Sequence, residues 1–279
     1  MKNILFIVFA ICMTFGVNAQ ISTPAASPAS TVTHEVGLAK VTIEYSRPSL
    51  KGRKMFGSDY IPTGKVWRTG ANKVPNLIVS HEVMIAGKKV PAGTYGILSI
   101  PTEKQWTIIL SKNAGQWGAY AYTESEDFLR FTVPVKKLKE KEEHFTMGFT
   151  KFKETSANVF ISWENQMVMF EISQNPHETI MAEIATKTKA ADVSMDTYFG
   201  AAEYYFANNH ELNKAYEWAD KVVNADKQYW TYFLRGKIAA KIGKCDVAKS
   251  DAMAGLEMAK KASDGAYVKN LEGVLASCK

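Results

Sequence analysis

The sequence predicts an α+β protein of two domains, an antiparallel β-sandwich or jelly-roll-like domain followed by an array of α-helical hairpins. Three observations support this. From Thr31 to Ile172 short apolar–polar alternations recur every 8 to 12 residues, with Gly, Pro and Asn between them, the spacing of antiparallel meanders. At Asn175-Pro176 the period changes. From there to Lys279 the chain is rich in Ala, Lys, Glu and Tyr at helical spacing.

The amino terminus comes first. Lys2 precedes the apolar run Ile4–Ile11, and Val17-Asn18-Ala19 ends it on a small residue. This is the pattern of a secretory signal peptide over residues 1–19, cut after Ala19. The run is too short to span a bilayer, which needs about 20 helical residues. Cys12 follows it directly, but bulky Ile11 precedes that cysteine, unlike a lipid-attachment site. The expectation is a periplasmic or secreted protein with no transmembrane segment after cleavage. Residues 20–30 (QISTPAASPAS) read as a flexible linker.

The β-domain is assigned to residues 31–173. Val41–Tyr45 alternates with β-favouring residues. Leu77–Ser80 and Val83–Ile85 follow, then a hairpin turning at Ala86-Gly87 toward Val90. Thr94–Ile100 and Trp106–Leu110 pair around Pro101-Thr102-Glu103. Phe128–Val133, Phe145–Phe152, Val159–Trp163 and Met167–Ile172 complete the set. The last two read as a hairpin with Glu164-Asn165 at its tip. In the helical domain, 175–279, Asn175 suits an N-cap, with Pro176 first in the helix and Glu178 three residues after the cap. Helices are predicted near 176–188, 195–208, 211–224, 228–242, 245–262 and 265–277.

The charge is uneven. Between Arg47 and Lys73 seven cations (Arg47, Lys51, Arg53, Lys54, Lys65, Arg68, Lys73) face one acid, Asp59, a local excess of six against +6 for the whole chain. Such a field favours anionic partners. The segment Ser46–Asn72 is long for a strand connection, and long ordered loops tend to be functional. Tyr60, Trp67, Arg68 and Asn72, with Arg47 and Arg53, combine flat apolar faces with planar donors, as sugar or carboxylate recognition requires. Trp117 and Tyr120 form a second aromatic loop suited to the same pocket. A structural role fits equally, with Trp67 plugging the sandwich and Arg68 satisfying buried carbonyls.

Catalytic signatures are absent. There is no Gly-x-Ser-x-Gly elbow and no Gly-rich nucleotide loop. Each of the five histidines neighbours a glutamate, but none has a second His four residues on, so no metal site is predicted. No cofactor and no nucleic-acid partner is expected. Catalysis stays open only if acids such as Asp59, Glu82 and Glu124 converge beside the basic loop. Cys245 opens one predicted helix and Cys278 follows the last, making them candidates for a disulfide.

Two family resemblances follow from motifs. Aligning Ala215 with Ala248 gives a helical period of 33, with Gly236 and Gly243 at close-contact and turn positions. Residues 195–279 thus resemble about two degenerate tetratricopeptide repeats, with Gly265–Ser277 as a capping helix. Glu203 stands where a small residue is expected, and the closing prolines are missing. This resemblance implies a groove for a protein partner. Second, Tyr45-Ser46-Arg47-Pro48, Lys51-Gly52-Arg53, Gly64–Asn72, Val90–Tyr95, Trp106–Ile109 and Gln116–Tyr120 occur in the order of the family known as domain of unknown function 2911. Residues 31–172 resemble that secreted bacterial family, typical of envelope or exported proteins of Bacteroidetes-like bacteria. It supplies no catalytic residues to carry over. The expected function is an exported, non-catalytic binding module for a glycan or anionic envelope ligand, with a helical tail for protein contacts. A structural or assembly adaptor of the envelope without a small ligand, and a carbohydrate-active hydrolase, are the alternatives.

Overall fold

The structure, a computed structural model, describes residues 23–278. The expected signal peptide and the first part of the expected linker lie outside the described residues. The chain divides into two compact units, Met1–Asn175 and Pro176–Lys279.

The first unit is two antiparallel sheets enclosing one core. Its described residues form ten strands: β1 (Ala29–Val36), β2 (Ala39–Ser46), β3 (Asn76–Val79), β4 (Val83–Ile85), β5 (Lys88–Val90), β6 (Gly93–Pro101), β7 (Gln105–Ser111), β8 (Asp127–Pro134), β9 (Lys136–Lys153) and β10 (Ser156–Ser173). The six-stranded sheet runs β1-β2-β3-β6-β7-β8, and the other β5-β4-β10-β9. Alternation selects the inward residues. Val41, Ile43 and Tyr45 of β2, Ile97 of β6, and Trp106, Ile108 and Leu110 of β7 meet Ile85, Met147, Val159, Ile161 and Ile172 from the facing sheet. The Ala86-Gly87 hairpin forms as read, with positive φ at both residues, the two-residue turn that matches strand twist.

Two readings need correction. The linker is shorter than expected, because Ala29 and Ser30 already pair with Ser46 and Tyr45 in β1. More telling, Glu164-Asn165 is not a hairpin tip. Residues 156–173 form one strand, with register shifts against β9 on both sides of Glu164. Glu164 adopts a left-handed φ of +53°. The buried set is Val159, Ile161 and Trp163 before this point and Gln166, Val168, Phe170 and Ile172 after it. The inward parity therefore switches from odd to even, the effect of an extra residue in a bulge.

The second unit contains six helices among the described residues: α1 (His177–Lys187), α2 (Met195–Ala207), α3 (Leu212–Ala225), α4 (Tyr229–Lys241), α5 (Cys245–Lys261) and α6 (Gly265–Ser277). They match the periodic segments within a residue or two. Pro176, not Asn175, holds the cap position of α1, without a side-chain cap bond. Ser194 and Asp264 do cap α2 and α6, accepting from the Thr197 and Tyr267 N–H groups. α2 packs on α3, α4 on α5, and α6 on both α4 and α5. Small residues permit the close approach: Ala239, Ala248, Ala252 and Ala259 are buried, and a Cβ on Gly255 would lie 3.0 Å from Leu271 Cδ2. Arg235 of α4 ties three helices together. Its Nε and Nη2 donate to both oxygens of buried Asp251 at 2.8 and 2.7 Å, and Nη1 to Asp220 at 2.6 Å. The Asp251 hydrogen bond is the largest cause raising the Arg235 pKa, so the fork stays charged.

Cys245 and Cys278 form a disulfide with Cα atoms 5.4 Å apart, closing a separation of 33 residues at one end of the α5–α6 hairpin. The chain-entropy model assigns a loop of this size about 3–4 kcal/mol. Cys245→Ser with Cys278→Ser is therefore expected to lower the unfolding free energy of the helical unit by that amount and to move its urea midpoint down accordingly. Chemical denaturation followed at the helical circular-dichroism signal checks this.

Candidate functional site

The long connection from β2 to β3 is ordered by the sheet it crosses. Trp67 pairs with Ser99 of β6, its N–H donating to the Ser99 carbonyl at 2.8 Å and the Ser99 N–H returning the bond at 3.0 Å. This short strand-like step alternates: Trp67 points into the sandwich, while Val66 packs on the small outer cluster of Val74, Leu98 and Ile109. Thr69 is fully buried with φ +57°, unusual for a β-branched residue, and its Oγ1 meets Ser99 Oγ at 2.9 Å.

The eight expected ligand-contacting residues do not line one cleft, although four of them come together: the Gly118 N–H donates to the Asn72 carbonyl at 3.1 Å, Lys73 bridges to Trp117, and a Cβ on Gly118 would lie 3.7 Å from Arg68 Nη1 as well as against the Tyr120 ring. Trp67 is a correction: its indole is 7% exposed. It stacks on Trp163 at 6.1 Å and meets Phe56, Trp106 and Phe145 edge-on at 5.7–6.0 Å, leaving no ring face for a ligand. Arg68 is half-buried and donates from Nη1 to the Asn72 carbonyl at 3.2 Å. The Asn72 amide donates to Ser46 Oγ at 3.1 Å and the Ser27 carbonyl at 3.4 Å. Arg53 bonds the Leu50 and Ser49 carbonyls and lies over the Tyr60 ring, 5.3 Å from its centroid. Tyr60, Trp117 and Tyr120 are solvent-exposed, at 60, 60 and 87%. Tyr120 folds back over Gly118, where a Cβ would lie 2.7 Å from its ring. Arg47 alone of the eight lines one of the main clefts, beside Ser49, Lys51 and His144.

A more enclosed cleft lies elsewhere in this unit, at the β10 bulge. Its volume is about 330 Å³. Glu164, Asn165 and Gln166 line it with Phe56, Lys54, Thr63, Glu103 and Lys137. Glu164 is 7% exposed, yet it is not a simple core residue. Its Oε2 accepts the Met55 and Phe56 N–H groups, both at 3.2 Å, and among the described residues Oε1 has no partner. Gln166 accepts from Trp106 Nε1 at 3.0 Å, which binds the cleft to the aromatic cluster beneath. Lys137 stands opposite Gln166 in the β9–β10 register. Sequence reasoning missed Glu164 and Gln166. The signal was present as the odd-to-even switch in apolar parity around them, which also reads as a hairpin.

The acids considered for catalysis do not gather. Glu82 pairs with Lys89 on the β4–β5 hairpin, Glu124 with Arg130 beside β8. Among the described residues no group of three or more His, Cys, Asp or Glu is placed to hold a metal ion. No helix among them is long and apolar enough to cross a membrane.

The fold and its cleft define an antiparallel β-domain with a built polar pocket, joined to a helical unit. The family model described as protein of unknown function (DUF2911) matches residues 27–172, and the chain belongs to that family. No curated protein matches the chain.

Burial separates the two tryptophans of the expected site. Trp67→Ala removes the centre of the aromatic cluster and is expected to cost about 3–5 kcal/mol. Trp117→Ala should stay within about 0.5 kcal/mol. Equilibrium denaturation of the two variants, followed by intrinsic fluorescence, checks the contrast.

Proposed function

We propose that this is an exported, non-catalytic binding module whose β-unit holds an envelope glycan in the cleft at the β10 bulge. The observation that carries the reading is Glu164. A buried carboxylate with one oxygen fixed by two backbone amides and the other unpartnered at a cleft wall is a preorganised acceptor for ligand hydroxyls. Asn165, Gln166 and Thr63 add neutral donors and acceptors around it. Lys54 and Lys137 offset Glu103 and Glu164 in the same cleft, so a neutral or mildly acidic sugar suits it better than a strong polyanion. The leader-like first nineteen residues and the Cys245–Cys278 disulfide support an oxidising compartment outside the cytoplasm. The helical unit, built as stacked hairpins, serves protein contacts.

One observation favours a second reading as a carbohydrate-active hydrolase. Glu103 and Glu164 line the same cleft, and glycoside hydrolysis uses a carboxylate pair.

A panel of envelope glycans titrated calorimetrically onto the mature chain tests the module. At least one glycan should bind saturably, and Glu164→Gln should weaken it by about tenfold or more while the melting temperature holds, because the amide oxygen still accepts from Met55 and Phe56. Release of reducing ends, abolished by Glu103→Gln, would replace the module with the hydrolase. A panel without saturable binding would remove both and leave the structural adaptor.

A further inference from the structure

The geometry points to a second site, for a phosphoryl group, in the open cleft between the amino-terminal segment and the edge of β9. This cleft has a volume of about 490 Å³ and shares no lining residue with the cleft at Glu164. Arg47, Ser49, Lys51 and His144 supply its polar wall, and residues 25–30 the rest. Every charged side chain that lines it is cationic. The nearby acid, Glu143, is engaged otherwise: its Oε1 accepts the Lys51 N–H at 2.8 Å.

The donors are preset. Arg47 is held along β9 by bonds from Nε to the Phe145 carbonyl at 3.3 Å and from Nη2 to Thr146 Oγ1 at 3.0 Å. Its Nη1 has no partner among the described residues. His144 is oriented by Ser49, whose Oγ lies 2.9 Å from Nδ1, leaving Nε2 unpartnered among the described residues. The Lys51 ammonium likewise has no acid partner among them. Lys51 is placed by a left-handed turn, φ +49°, which the Glu143 carboxylate stabilises through the backbone amide. A guanidinium, an ammonium and the imidazole Nε2–H, the tautomer in which Nδ1 accepts from the Ser49 hydroxyl, stand on one wall and match a dianionic group with three strong acceptor oxygens. Neutral sugars have no use for so much positive charge. This site is independent of the glycan reading.

Calorimetric titration of the mature chain with inorganic phosphate, glucose 6-phosphate and glucose tests it. At least one of the two phosphates should bind saturably, and glucose should not. Inorganic phosphate binding as tightly as the ester assigns the free ion as occupant, and tighter ester binding assigns a phosphate monoester. Lys51→Gln and His144→Gln should each weaken binding by about tenfold with the melting temperature retained, since both side chains are exposed. Lys65→Gln, a cation of the same connection outside the cleft, and Glu164→Gln should leave it unchanged. Absence of saturable binding by both phosphates overturns the site. Equal weakening by Lys65→Gln also overturns it, because the attraction would then be a diffuse field.

Discussion

The paired backbone bonds between Trp67 and Ser99 are the constraint on which the β-unit depends. They convert the middle of a long connection into a short strand along β6 and aim the indole inward. Phe56, Trp106, Phe145 and Trp163 then close around it. From that cluster two polar links reach the cleft: Trp106 donates to Gln166, and the Phe56 amide donates to Glu164. The cleft is therefore built on top of the core, and its wall cannot move without disturbing the aromatic packing. A ligand held as proposed would therefore meet a wall already ordered, at little cost in ordering entropy.

The same constraint explains which parts of the fold were legible in the sequence. Strands with one buried face, such as β2 and β7, declare themselves by alternation, and the helices by their period and by the turn glycine Gly243. β10 does not, because a bulge shifts its phase while leaving the strand continuous. Parity alone cannot separate a bulge from a tight turn; the partner strand decides, and β9 spans both halves of β10. β1 was missed in part because Ala29 and Ser30 are small and sit in a Pro-bearing stretch, yet they complete the ladder to β2. Trp67 and Arg68 illustrate a further limit. Composition identified an aromatic beside a cation, a pair fit for either a pocket or a core. Only the pairing to Ser99 settles which way each points.

Charge behaves similarly. The seven cations between Arg47 and Lys73 suggest one electropositive surface, but the fold disperses them. Arg53 is spent on its own turn and on the Tyr60 ring. Arg68 braces the Asn72 turn. Lys54 faces the mixed-charge cleft, while Arg47 and Lys51 share the other. Local geometry rather than the summed excess decides what each cation can recognise. Two clefts of unlike charge can thus exist in a single β-unit fed by one basic loop.

Glu164 is the residue whose identity the fold least requires. A left-handed backbone position suits Gly or Asn, and a non-glycine there carries strain on the order of 1 kcal/mol or more. The Met55 and Phe56 amides need one acceptor oxygen, which an Asn or Asp of shorter reach, more at ease in this conformation, would also offer in kind. A glutamate instead places a second oxygen and a full negative charge at the wall of a cleft, largely out of water. Oε2 takes the two amides, while Oε1 opens to the cleft, where water can satisfy it. The strained backbone and the cleft-facing oxygen at this one residue are why the proposed glycan site is centred on it.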